Sequence, residues 1–204
     1  MAGRPTSYAL SYEPPISNLI IAFKDRGEWS LRTVLARLLT RSISHLLLER
    51  DERGLDAMSP LLVVPIASTA SSIRMRDADP IADLARSAAR IMGRSGFDVR
   101  TSRVLLMQSG HRDHVGLSRQ EREANMHNAF AVDGRHRAEG QVVIVDDVVT
   151  SGATLAAAQH ALSEAGYPVA GAAVIARSHH KQQTGDRGWP TNKQTGRRGD
   201  TLGV

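Results

Sequence analysis

Apolar residues fall at helical spacing in the first quarter of the chain and gather into short unbroken runs after it. From Tyr12 to Arg50 they form two sets, Ile16, Leu19, Ile20 and Phe23, then Leu31, Val34, Leu35, Leu38 and Leu39, with KDRGEW between them. The spacing predicts two helices sharing an apolar face, packed as a cover on whatever follows, with DERGLDAMSP leading away. LLVVPI (Leu61 to Ile66) then has the uninterrupted apolar character of a parallel strand buried on both faces. After the loop ASTASSIRMRDADP, Pro80 suits a first helical turn, and Ile81, Leu84, Ala85, Ala88 and Met92 make one apolar face that Gly93 and Gly96 bring to an end.

The strand signal returns in RVLLMQ (Arg103 to Gln108), followed by SGHRDHVG and a short charged helix over Leu117 to Met126. Phe130 to Val132 reads as a small strand, and QVVIVDDV after Gly140 is the strongest strand of the chain. Leu155, Ala158, Leu162 and Ala165 mark a further helix, stopped by Gly166 and Pro168, and PVAGAAVIAR supplies a last strand. Alternating strands and helices imply βαβ units and a mainly parallel sheet, in which ligands gather at the carboxyl ends of the strands. The segments after Ile66, Gln108 and Val145 are therefore expected on one rim.

Composition narrows the chemistry. With 204 residues the chain suits one domain and a modest extra element, and having no cysteine it has no disulfide, thiolate zinc site or cysteine nucleophile. The opening MAGRPTSYALSYEPP lacks the apolar core of a signal peptide, and no apolar run reaches the ~20 residues of a membrane span, so a soluble cytoplasmic protein is expected. The formal charge is +5, but Arg177 to Val204 alone carry six Lys or Arg against Asp186 and Asp200. That segment is polar and nearly devoid of aliphatics, so residues 178–204 are expected to be a disordered basic tail. Such a tail can touch nucleic acid nonspecifically, but a solvated terminus is the favoured reading. Residues 1–11 are expected to be a flexible N-terminus.

The chemistry concentrates in VVIVDDVVTSGAT, Val142 to Thr154. Two adjacent carboxylates at the end of a buried strand are costly unless they meet a cation, a donor or water. The loop after them has hydroxyls at Thr150, Ser151 and Thr154, a glycine that permits close backbone approach, and the N–H groups of a helix start, which are the parts of a phosphate cradle. A Walker loop would need a lysine where Ala153 and Thr154 stand. A phosphorelay receiver would need an aspartate on a later strand, and PVAGAAVIAR has none. If the acids merely capped the following helix, Ser or Thr would do so without adjacent charges.

This segment resembles the signature of the type I phosphoribosyltransferases. GLSRQEREANMHNAF (Gly116 to Phe130) and ISNLIIAFKDRGEWSL (Ile16 to Leu31) further resemble the ComF competence-protein family, over roughly Tyr12 to Arg177. The resemblance implies an α/β, Rossmann-like core (61–177) of parallel strands with flanking helices, under a small helical hood (12–50). It implies a site for phosphoribosyl pyrophosphate and magnesium, in which Asp146 and Asp147 hold the ribose 2′- and 3′-hydroxyls and the metal. Thr150, Ser151, Gly152, Ala153 and Thr154 would bind the 5′-phosphate. Ala67, Ser68, Arg74 and Arg76 would meet the pyrophosphate, with Arg112, Arg119 and Arg122 reaching in from a mobile loop. The implied reaction is displacement of pyrophosphate by a nitrogen nucleophile on an unidentified nucleobase or amine, and a homodimer is compatible with it. The chain departs from the family in lacking a four-cysteine zinc module, in carrying Asp77 where the pyrophosphate loop usually has glycine, and in carrying His114 where Gln is usual. Two functional classes follow: a transferase, or a protein that binds a phosphoribosyl ligand without turnover, in DNA uptake or repair as the ComF association suggests.

Overall fold

The computed structural model describes residues 4–51, 59–68, 73, 78–108, 129–134 and 140–178. Its elements in chain order are β1 (Thr6–Ser11), α1 (Ile16–Asp25), a single 3₁₀ turn (Trp29–Leu31), α2 (Arg32–Asp51), β2 (Leu61–Pro65), α3 (Pro80–Arg94) and β3 (Val99–Thr101). They continue with β4 (Leu105–Met107), β5 (Phe130–Val132), β6 (Gln141–Val149), α4 (Ala153–Glu164) and β7 (Val169–Arg177). Five strands form one sheet in the order β1-β7-β6-β2-β3, and every neighbouring pair is parallel.

The unbroken apolar runs become the middle of this sheet because it is covered on both faces. On one face Leu35, Leu39, Ile43 and Leu46 of α2 and Leu84, Ala88 and Met92 of α3 bury against Val63, Val143, Val145 and Ile175. On the other, Leu155, Ala158 and Leu162 of α4 bury against Val64, Val142, Ile144 and Val174. Successive residues of β2 and β6 thus serve opposite layers, as strand geometry requires. Small residues in β7 let α2 lie close, and Ser42 of α2, fully buried, donates from Oγ to the Val174 carbonyl at 2.7 Å. Gly140 leads into β6 at φ +95°, and a Cβ there would stand 1.9 Å from the Pro60 carbonyl oxygen, so only glycine fits.

Three expectations change. Residues 1–11 are not simply a flexible terminus, since Thr6–Ser11 pairs in parallel with β7 as the sheet's edge, with Ser7 and Ala9 buried. Its mixed composition gave no strand signal because it becomes a strand by pairing with the edge of β7. In the 12–50 region α2 packs on β7, β1 and α3 and covers one face of the sheet. RVLLMQ does form a strand, but Leu105–Met107 pairs antiparallel with Phe130–Val132 in a second, two-stranded sheet outside the parallel one. The strand next to β2 is instead Val99–Thr101, too short and too polar to stand out. The expected helix over Leu117 to Met126 and the tail from 179 onward lie outside the described residues.

Because β1 closes the sheet beside β7, a charge on its buried face is expected to be costly. Ala9→Asp should lower unfolding free energy by about 3 kcal/mol, as an unpaired carboxylate at a buried position does. Urea unfolding followed by circular dichroism checks this, and wild-type stability in the variant would return residues 1–11 to the status of a loose terminus.

Candidate functional site

Parallel pairing places the carboxyl ends of β1, β7, β6, β2 and β3 on one rim. Two loops expected to share it are adjacent there: Pro65 is the register partner of Val145, and the Ile66 N–H donates to the Val145 carbonyl at 2.9 Å. Ala67 and Ser68 therefore stand beside Asp146 and Asp147, although some eighty residues separate them in sequence.

The two carboxylates have different partners. Asp147, with only 7% of its side chain exposed, accepts from Lys24 Nζ at 2.7 Å through Oδ2 and from the Val148 N–H at 2.8 Å through Oδ1. Lys24 comes from the last turn of α1, so a cation from the N-terminal helix crosses the rim to a strand end 123 positions later. Asp146 is partly buried and accepts from the Asp147 N–H at 2.9 Å. Burial first, and the neighbouring Asp147 charge second, push its pKa from 3.8 up to about 8. The Asp147 N–H and the Lys24 charge pull the other way without offsetting them.

Past the acids the chain turns through Thr150 and Ser151, both exposed, to Gly152 at φ +78°, the left-handed conformation that glycine accepts freely. Gly152 is the N-cap of α4 and has no side-chain acceptor to give, and the first turn contains no acid. Ser151 Oγ accepts from the Ala153 N–H at 3.4 Å, a long contact that a better acceptor could displace. A helix start with glycine at the cap, flanked by Thr150, Ser151 and Thr154, suits an anion. Arg177, the register partner of Val149, adds a cation to the same rim, its guanidinium 5.8 Å from the centre of the Tyr8 ring.

On the β2 side the organising group is Asp79, with 6% of its side chain exposed. It caps α3 by accepting from the Ala82 N–H at 3.2 Å, takes the Ser68 hydroxyl on the same oxygen at 3.2 Å, and meets Arg103 Nη2 on the other at 2.8 Å. Sequence reasoning missed Lys24, Asp79 and Arg103. Lys24 stood in a quoted motif, but nothing in the order of residues says what it faces. Arg74, Arg76, Arg112, Arg119 and Arg122 lie outside the described residues.

Hard carboxylate oxygens suit magnesium, and an acid driven toward its neutral form by burial is one that a cation would restore to the charged form. Among the described residues no group of three or more His, Asp or Glu could hold a metal, so such an ion would draw most of its oxygens from ligand and water. Among them, too, no helix is long and apolar enough to cross a membrane.

The raised pKa of Asp146 sets a pH dependence. The folded state binds this proton more tightly than the unfolded chain, so its contribution to stability is complete below about pH 4 and is lost progressively as pH rises to about 8. Asp146→Asn is expected to remove this slope and to raise Tm at pH 8 by about 3 °C or more, the equivalent of about 1 kcal/mol. Calorimetry of both proteins between pH 5 and 8 tests it, and parallel Tm profiles would show that Asp146 titrates normally.

A hypoxanthine phosphoribosyl transferase of Trypanosoma cruzi is a structural neighbour with TM-score 0.45 and 18% identity, over 76% of this chain and 71% of that one. No curated protein matches the sequence. The sequence pattern of the phosphoribosyl transferase domain matches residues 35–192, a span that begins within α2 and includes β2 through β7, the acidic pair and the loop after it. This chain therefore belongs to the phosphoribosyl transferase domain family.

Proposed function

We propose that the protein binds phosphoribosyl pyrophosphate with magnesium at this rim and transfers the phosphoribosyl group to a nitrogen nucleophile, releasing pyrophosphate. One observation carries the reading: partly or wholly buried carboxylates stand in the last four residues of β6, and a glycine-capped helix start with three hydroxyl side chains follows within eight residues. In this reading Asp146 and Asp147 accept from the ribose hydroxyls, while Thr150, Ser151, Gly152, Ala153 and Thr154 enclose the 5′-phosphate. Ala67 and Ser68 meet the pyrophosphate end, together with Arg74 and Arg76. Arg112, Arg119 and Arg122 would close over it.

Displacement at C1 of the ribose develops positive charge on the sugar and negative charge on the departing pyrophosphate, so the protein's task is positioning and charge stabilisation. When bound, magnesium supplies Lewis-acid stabilisation of pyrophosphate oxygens, with Asp146 and Asp147 as the protein groups that would hold it. Lys24 already neutralises Asp147, which keeps the pair from repelling a polyanionic ligand outright.

Within the family we place the chain closest to the ComF group, on Gly116 to Phe130 and on the Ile16 to Leu31 segment that delivers Lys24. A nucleobase or amine acceptor, a cytoplasmic location, a homodimer and a link to DNA uptake belong to that same proposal. The second reading, ligand binding without transfer, is favoured by Asp77, a negative charge where the family's pyrophosphate loop usually has glycine.

Isothermal titration with phosphoribosyl pyrophosphate and magnesium is expected to show binding that Asp146→Asn with Asp147→Asn weakens by about a hundredfold, the loss of two charge-assisted contacts. Absence of binding by the wild type at millimolar ligand would end both readings. Pyrophosphate release during a screen of nucleobases then separates transferase from binding protein.

A further inference from the structure

We propose that Arg103 is a pyrophosphate-binding residue of this site and that Asp79 is its positioning residue. The inference rests on the phosphoribosyl pyrophosphate reading above and deepens it on the side where the sequence is least like the family.

Asp79 stands at the end of RMRDADP, a segment whose two acids look unsuited to a polyanion. The charge of Asp79 is directed into the protein. One oxygen takes the Ala82 N–H and the Ser68 hydroxyl, and the other takes Arg103. A helix cap requires only the first of these contacts. The other two join elements far apart in sequence: the loop after β2, and the residue two places beyond β3, the adjacent parallel strand. Ser102 fixes that exit, its N–H donating to the Val63 carbonyl at 3.2 Å, and the neighbouring Val104 and Leu105 are buried, so the backbone carrying Arg103 is held on both sides.

The result is a guanidinium held on the β2–β3 side of the rim, next to Ser68. A guanidinium has five N–H donors in a planar fork, and a single nitrogen meets Asp79. With 55% of its side chain exposed, Arg103 has donors available to a phosphate, which the fork matches in two-point fashion. The sheet order β6-β2-β3 places it on the far side of the β2 loop from the β6 phosphate cradle. A ligand with phosphate at both ends of a ribose would span those two positions. Asp79 also keeps the arginine from adding a bare charge to the rim while no ligand is bound.

The test uses the full chain and two probes, magnesium pyrophosphate and ribose 5-phosphate, titrated calorimetrically into wild type, Arg103→Ala, Arg103→Lys and Asp79→Asn. The expected result is that Arg103→Ala weakens pyrophosphate binding about ten- to a hundredfold and leaves ribose 5-phosphate within about twofold, the effect of losing charge-assisted contacts at one end only. Arg103→Lys should recover part of the loss. Asp79→Asn, which keeps a capping oxygen, should weaken pyrophosphate binding while leaving Tm near wild type. Equal loss for both probes, or no loss for either, overturns the inference. So does a wild type that binds ribose 5-phosphate but not pyrophosphate, an outcome that leaves the phosphoribosyl reading of β6 standing. A wild type that binds neither probe fails that reading and this inference together.

Discussion

Strand β6 is paired in parallel on both sides, with β2 along one edge and β7 along the other, and the site depends on that pairing. A parallel strand in the centre of a sheet has its backbone groups satisfied and both faces covered, so its interior must be apolar and its chemistry is pushed to its end. Val142 to Val145 meet the first demand, and Asp146 to Thr154 are what the end presents. Because β2 and β3 run the same way, their exits reach the same rim, and residues from four parts of the chain meet there without any element having to bend toward them.

The rim is organised by carboxylates with assigned partners. Asp147 has Lys24, Asp79 has Arg103 and Ser68, and Asp146 accepts from its neighbour's N–H. Burial penalises all three charges, and the first two are compensated by cations from distant elements. Asp146 is compensated least, which explains why its affinity for a proton is raised and why a cation or hydroxyl-rich ligand would be welcomed there. The same accounting separates the two ends of the proposed ligand: a glycine-capped helix start on the β6 side, and a held guanidinium on the β2–β3 side.

Much of this was legible in the chain because the signals were local. LLVVPI, QVVIVDDVV and VAGAAVIAR could hardly be anything but buried strands, and Pro80 announced the first turn of α3. Gly152 after Thr150 and Ser151 announced a turn into a helix. What escaped notice had no local signal. TSYALS and VRT become strands only when β7 and β2 offer their edges, and LLM has the composition of a core strand but joins a separate hairpin, with Leu106 half exposed. Periodicity gave α2 an apolar face but not the strands beneath it, which are β7 and β1.

The division between sequence and tertiary structure is therefore a division of range. Residue order alone determined an alternating α/β chain, the acidic pair at a strand end and the hydroxyl-glycine loop after it, because strand burial, turn conformation and helix capping are settled within a few residues. Only the tertiary structure decided which cation meets which carboxylate. Lys24 with Asp147 and Arg103 with Asp79 are electrostatic choices made across 123 and 24 positions, and the Coulomb interaction depends on distance in space, which sequence separation does not supply.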